Sequence, residues 1–233
     1  MKQYTFYYTI FSMFLIISLV ICSLPVIFCS ILFSKLAKDF TFKNVFFSIF
    51  FGLLTIIPIT CLQYFLHRTI FFDELNLSHR FLSALLMNGT IEETLKMLFI
   101  YFIPCKKKSL KSFVLTAILF GLSLGCFETI IYYITGTIHI GLRLITSVII
   151  HSLCSGLLGI FIWATSNNKR LFKPFFTAVV CHGLYNFFAN FSGFFWWFSI
   201  FVILYTGIQC ILQFQKLHEK IQEEKEKNLE LQF

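Results

Sequence analysis

The stretch RFLSALLMNGTIEETLKMLFIYFI, residues 80–103, decides the reading of this chain. It is long enough to cross a bilayer as one helix, yet it carries Glu92, Glu93 and Lys96 in its interior. A charge near the bilayer centre costs ~3 kcal/mol on insertion scales, so such residues face a protein interior and do chemistry or move ions. Lys96 is four residues from Glu92 and three from Glu93, within reach of either carboxylate on a helix surface, and Asn88 stands one turn before Glu92. One face of this helix is therefore polar at mid-membrane and needs other helices packed around it. A buried ion pair that only fixes packing accounts for one glutamate and the lysine. It leaves the second glutamate unexplained.

The rest of the chain supplies those helices. Hydrophobic residues make up 58% of it and charged residues 13%, with mean hydropathy +0.81. Seven spans are expected, near 6–33, 44–66, 80–103, 113–134, 143–165, 174–192 and 194–214. The first is too long for the core of a signal peptide and lacks a small-x-small cleavage site, so it reads as retained. The fold expected is an all-α polytopic transmembrane bundle forming one membrane-embedded domain over 1–233. Its catalytic core covers about 80–192, and a charged cytoplasmic tail covers about 215–233. In that tail Glu223 and Lys227, four apart, predict a solvated helix continuing the last span.

The net charge of +8 is not a nucleic-acid footprint, because it lies in short loops. Fourteen of the nineteen Lys and Arg fall between spans one and two, three and four, five and six, and after span seven. Lys2, Arg68, Arg80 and Arg143 fall on the opposite side. The positive-inside rule then puts the C-terminus in the cytoplasm and the N-terminus outside, in the cell (inner) membrane of a multi-pass protein. The eight cysteines lie in spans or at the cytoplasmic edge, without CxxC spacing, and read as small hydrophobes.

Spans three to six hold every candidate for chemistry. Span four ends its Gly121, Gly125 stripe in Glu128, a pattern for close helix approach beside an acid. Span five carries His151 and Ser155 on one face. Span six carries His182 and Asn186, four apart and able to address one substrate group. Counted from the outer ends at ~1.5 Å per residue, Glu92 lies about 18 Å deep, Glu128 about 9 Å, His151 about 12 Å and His182 about 15 Å, so one outward cavity can hold them. Three glutamates and Lys96 leave a charge of −2 with neutral histidines, which low dielectric will not tolerate bare. Either protons are taken up, leaving a glutamate as general acid/base, or a divalent cation sits there. If a metal is present, Glu128, His151 and His182 with Glu92 or Glu93 form a plausible zinc set with an open water position. The sequence leaves zinc and no metal equally open.

Glu92-Glu93-x-x-Lys96, the glycine-bearing span ending in Glu128, His151-x-x-x-Ser155-Gly156 and His182-Gly-Leu-Tyr-Asn186 together resemble the PrsW family of intramembrane proteases, over residues 80–192. That family is related to the CAAX-prenyl proteases and bacteriocin-immunity proteins. The resemblance implies that Glu92 activates the attacking water and that His182 and Asn186 bind the oxyanion. It also implies a membrane-anchored, single-pass protein substrate such as an anti-sigma factor, cut on the outer side. In the CAAX branch the second motif ends in histidine; here it ends in Glu128, with Thr129 where PrsW-like chains often have asparagine. The expected activity is peptide hydrolysis, with Glu93 sharing the base role or pairing with Lys96, and Glu128 and His151 positioning the water or ligating a metal. A proton-coupled transporter is the rival from relay chemistry, opposed by the lack of inverted repeats and of broken span pairs. A non-catalytic binding or immunity protein is the other, opposed by the complete motif set. The lipid bilayer is the remaining partner, and nucleic acid is not one.

Overall fold

The structure, a computed structural model, describes residues 2–69, 76–104, 108–135 and 140–230. In chain order it contains α1 (Lys2–Leu36), α2 (Phe42–Thr69), α3 (Leu77–Ser83), a π-helical segment (Ala84–Ile91) and α4 (Glu92–Phe102). Then follow α5 (Leu110–Ile134), α6 (Ile140–Ile145), α7 (Ser147–Ser166), α8 (Lys173–Ala189), a 3-10 turn (Gly193–Trp196) and α9 (Trp197–Glu230). Among the described residues five stretches are long and apolar enough to cross a membrane: Leu15–Leu36, Phe42–Thr69, Leu110–Ile134, Gly141–Ser166 and Gly193–Glu230. The two other expected spans are the rod made of α3, the π segment and α4, and the 17-residue α8, about 25 Å long. The result is an all-α polytopic bundle. The seventh span and the charged tail are one helix, α9.

Burial sorts the rods. The apolar windows of α5 and α7 are 72% and 78% buried, whereas that of α1, within Leu15–Leu36, is 11% buried and reaches the core through residues such as Cys22 and Phe33. The central pair is α5 against α7, and glycine makes it so. A Cβ on Gly121 would lie 2.3 Å from the His151 carbonyl oxygen, so only glycine lets the backbones come this close. Ile150, Leu157, Leu158 and Phe120 fill the apolar layer between the pair and its neighbours.

The third rod carries the local departure that matters. Its π segment ends where Glu92 begins, and the backbone passes into α4 with helical angles throughout. A π turn displaces the i→i+4 pattern by one residue and leaves carbonyls to be satisfied otherwise. Thr90 Oγ1 donates to Leu85 O (3.1 Å), and Gln63 of α2 donates to Met87 O (3.2 Å). Gly89 lies against α8, where a Cβ would meet Val179 O at 2.6 Å. The segment is thus tied to both neighbours, and α4 starts from a fixed point.

At the basic-loop end a polar knot joins the first two loops to the core. Asp39 accepts from Ser109 N (2.8 Å) and Ser109 Oγ (3.0 Å). Lys108 Nζ donates to Asp39 O (2.5 Å) and Asn44 Oδ1 (2.7 Å). Buried Asn44 donates through Nδ2 to Thr116 Oγ1 (2.7 Å), and Trp163 Nε1 donates to Lys108 O (3.0 Å).

Candidate active site

The first turn of α4 supplies Glu92, Glu93 and Lys96, α7 supplies His151, and α8 supplies His182; all five are buried. Helical spacing brings Lys96 back over both glutamates, with Nζ 2.6 Å from Glu93 Oε1 and 3.2 Å from Glu92 Oε1. The two imidazole rings meet edge to face with centroids 4.8 Å apart.

Hydrogen bonding fixes which ring nitrogens carry protons. His182 Nδ1 lies 2.5 Å from Glu93 Oε1, which as a carboxylate only accepts, so Nδ1 carries an N–H. His151 Nε2 lies 2.7 Å from Glu128 Oε2, so the proton is on Nε2. Its Nδ1 accepts from Lys96 Nζ at 2.9 Å. Each histidine is therefore oriented from behind by a carboxylate, the arrangement that sets tautomer and basicity in metal-binding histidines. The other nitrogen of each ring lies toward Glu92 Oε1, His151 Nδ1 at 3.2 Å and His182 Nε2 at 3.9 Å. Among the described residues that buried oxygen accepts no hydrogen bond.

Glu128, on α5, is the more accessible member, its side chain 26% exposed. Arg143 of α6 pairs with it at 3.2 Å, donates to Ser147 Oγ (3.3 Å) and stacks over Tyr132 at 3.8 Å. The sequence reading counted Arg143 only as a loop charge. With it included, three carboxylates face two cations, and the cluster carries −1 with neutral histidines instead of −2. The signal was available: an arginine eight residues before His151, two helical turns up the same span.

Over residues 41–208 the sequence matches the PrsW-protease family, described as PrsW family intramembrane metalloprotease. The chain belongs to the PrsW family. Comparison with curated proteins and with solved structures gave no match. The family match starts at the head of α2 and ends within α9, so it takes in every residue of the cluster and leaves α1 and the tail outside. The PrsW chain is by family an intramembrane protease, and its apolar helices make it a multi-pass membrane protein.

The family description implies a metal, and the donor set fits one. Glu92, His151 and His182 each offer one ligand atom, all within 4.8 Å of one another. Three protein ligands of N and O type leave an open position, as a catalytic zinc site requires. The buried Glu92 oxygen, ion-paired to Lys96 but without a hydrogen bond, is the observation in favour. Glu128, expected as a further ligand, places its carboxylate 2.7 Å from Nε2 of His151, on the opposite side of that ring from Glu92. Asn186 stands one turn after His182 on α8. Its Nδ2 donates to His182 O (3.2 Å), one turn back along α8, and not into the cluster.

Proposed function

We propose that this PrsW-family chain hydrolyses a peptide bond of a membrane-anchored, single-pass protein, with Glu92, His151 and His182 as the reacting centre. The observation that carries the reading is the buried Glu92 oxygen, ion-paired to Lys96 but without a hydrogen bond, and faced by one ring nitrogen of each histidine. A zinc-type divalent ion held by these three residues would supply Lewis-acid polarisation of the water and of the scissile carbonyl. Glu92, through the carboxylate oxygen not lent to such an ion, takes the proton of the attacking water as the water oxygen bonds to the carbonyl carbon. Glu92 then returns that proton to the leaving amine as the C–N bond breaks. Glu93 is held on one oxygen by Lys96 and His182, which suits it to orienting His182 and not to proton transfer. Glu128 does the same for His151 and, with Arg143, forms the accessible side of the site. Arg143 Nε is buried without a partner and is a charged donor for a substrate carbonyl entering there. The substrate class follows the family resemblance: a single-pass protein such as an anti-sigma factor, cut on the outer side of the cell membrane.

A second reading has its own observation. Lys96 Nζ lies 2.9 Å from His151 Nδ1 and 3.2 Å from Glu92 Oε1, so an internal cation already adjoins the donor set. In that reading Glu92 is the base unaided by metal. The test measures metal bound to the purified full-length protein and cleavage of a tagged single-pass protein in vesicles, with and without a chelator. One retained zinc, with cleavage lost on chelation and restored by zinc, is expected. Undiminished cleavage by metal-free protein would establish the glutamic reading. Failure of the zinc-loaded protein on every single-pass substrate would contradict the protease proposal.

A further inference from the structure

At the basic-loop end, the α7–α8 connection and the later turns of α9 enclose a cavity of about 230 Å³. Lys169, Arg170, Lys173, Lys216 and Lys220 line it, and no carboxylate does. Of these five only Lys169 is ion-paired among the described residues, with Glu224 of α9. Gathering cations around one hollow costs repulsion unless an anion offsets it.

The floor gives a second, independent sign of a ligand. Gln213 is 6% exposed, and its Oε1 has no hydrogen-bond partner, although Nε2 donates to Thr177 Oγ1 (3.3 Å) and Gln209 Oε1 (3.4 Å). A buried carbonyl oxygen in a cavity asks for a donor. The head of α8 adds to the anion field: Lys173 starts the helix, and the Phe172 side chain caps none of its N–H groups.

Position identifies the source of the anion. Lys216 lies roughly 28 Å along α9 from Trp197 at ~1.5 Å per residue, about one hydrocarbon thickness. The cavity is therefore at headgroup level. Phe172 and Leu212 beside it are 62% and 51% exposed, apolar surfaces on which acyl chains can lie.

We infer that this cavity binds an anionic phospholipid whose headgroup bears a hydroxyl, of the phosphatidylglycerol type. The phosphodiester sits among Arg170, Lys173, Lys216 and Lys220, a headgroup hydroxyl donates to Gln213 Oε1, and the acyl chains lie against Phe172 and Leu212. Free phosphate shares the cations but makes no use of the apolar rim. Basic pockets between spans at a membrane edge are suited to such headgroups.

The test uses the full-length protein in a neutral detergent and counts retained lipid by native mass spectrometry. Phosphatidylglycerol, phosphatidylcholine and inorganic phosphate are compared. One phosphatidylglycerol per chain is expected, with phosphatidylcholine not retained and phosphate unable to displace it. The exposed triple variant Arg170→Gln, Lys216→Gln, Lys220→Gln should weaken binding about a hundredfold. Gln213→Leu should weaken phosphatidylglycerol several-fold, whereas neutralising Lys35, Lys38 and Lys43 on another loop should not. Equal retention of both lipids, or equal loss from the two sets of lysine variants, would overturn the inference. Displacement by phosphate would assign a free anion instead and overturn the lipid.

Discussion

Two polar clusters join helices in this bundle, one buried and one at its basic-loop edge, and they are built differently. In the knot at the basic-loop end, Asp39 has both carboxylate oxygens hydrogen-bonded, and Asn44 both accepts from Thr41 and Lys108 and donates to Thr116. In the cluster of α4, α7 and α8, Glu92 Oε1 has ion-pair contacts but no hydrogen bond, and one ring nitrogen of each histidine lies toward it. A network that only holds helices together satisfies its members. One that handles water or a cation keeps some atoms unpartnered until the ligand arrives, and pays for them with the surrounding fold.

The comparison breaks most readily at the histidines. His151→Ala removes one of the ring nitrogens beside Glu92 and the group that Glu128 orients. Cleavage should fall by about 10³ or more, with retention of helix content and membrane level, since general acid–base groups contribute ~10²–10⁴. A loss of less than tenfold in a vesicle cleavage assay would place the reacting centre elsewhere.

Lys96→Met tests the other property of the cluster, its dependence on one buried cation. Lys96 is fully buried between two carboxylates, so removing it leaves an uncompensated charge and should cost about 3–5 kcal/mol in thermal unfolding of the detergent-solubilised protein. Lys108→Met in the knot removes a half-exposed partner and should cost about 1–1.5 kcal/mol, the range of ordinary hydrogen bonds. Equal costs at the two lysines would erase the distinction.

Asp39→Asn gives the smallest effect and a pH signature. Burial alone would raise the Asp39 carboxyl, but hydrogen bonds from Ser109 N–H and Oγ, with the Lys108 charge, hold it below the ordinary aspartate range. A folded-state pKa below the unfolded one contributes stability that is complete above the ordinary value, ~3.9, and is lost as pH falls below it. Wild type should therefore lose more stability than Asp39→Asn between pH 5 and pH 3, by under about 1 kcal/mol for so accessible a group. Parallel pH profiles would remove Asp39 from the knot's energetics.

Much of this was legible in the sequence because the membrane makes charge conspicuous. Glu92, Glu93, Lys96, Glu128, His151 and His182 stand out in apolar runs, and helical spacing alone pairs Lys96 with both acids. The Gly121 approach to α7 was readable from its i,i+4 partner Gly125. Three things were not. The π segment depends on where α2 and α8 satisfy its carbonyls, through Gln63 and the close packing at Gly89, and local propensity carries no trace of that. Arg143 looked like a topology signal because its tertiary partner, Glu128, is on another helix. The choice of tautomer, and with it the separation of Glu128 from the ligand atoms, exists only once three helices are assembled. Asn186 shared a face with His182 as expected, but bonding to the helix's own carbonyl took its amide away.

The most direct test sets the two adjacent glutamates against each other. Glu92→Gln and Glu93→Gln are near-isosteric changes one residue apart, measured for cleavage of a tagged single-pass protein and for thermal stability in the same preparation. Glu92→Gln should abolish cleavage while leaving stability near that of the wild type. Glu93→Gln, which weakens the bonds to Lys96 and His182, should lower stability clearly and retain some cleavage. Full activity in Glu92→Gln, or silence confined to Glu93→Gln, would contradict the assignment of Glu92 as the reacting carboxylate.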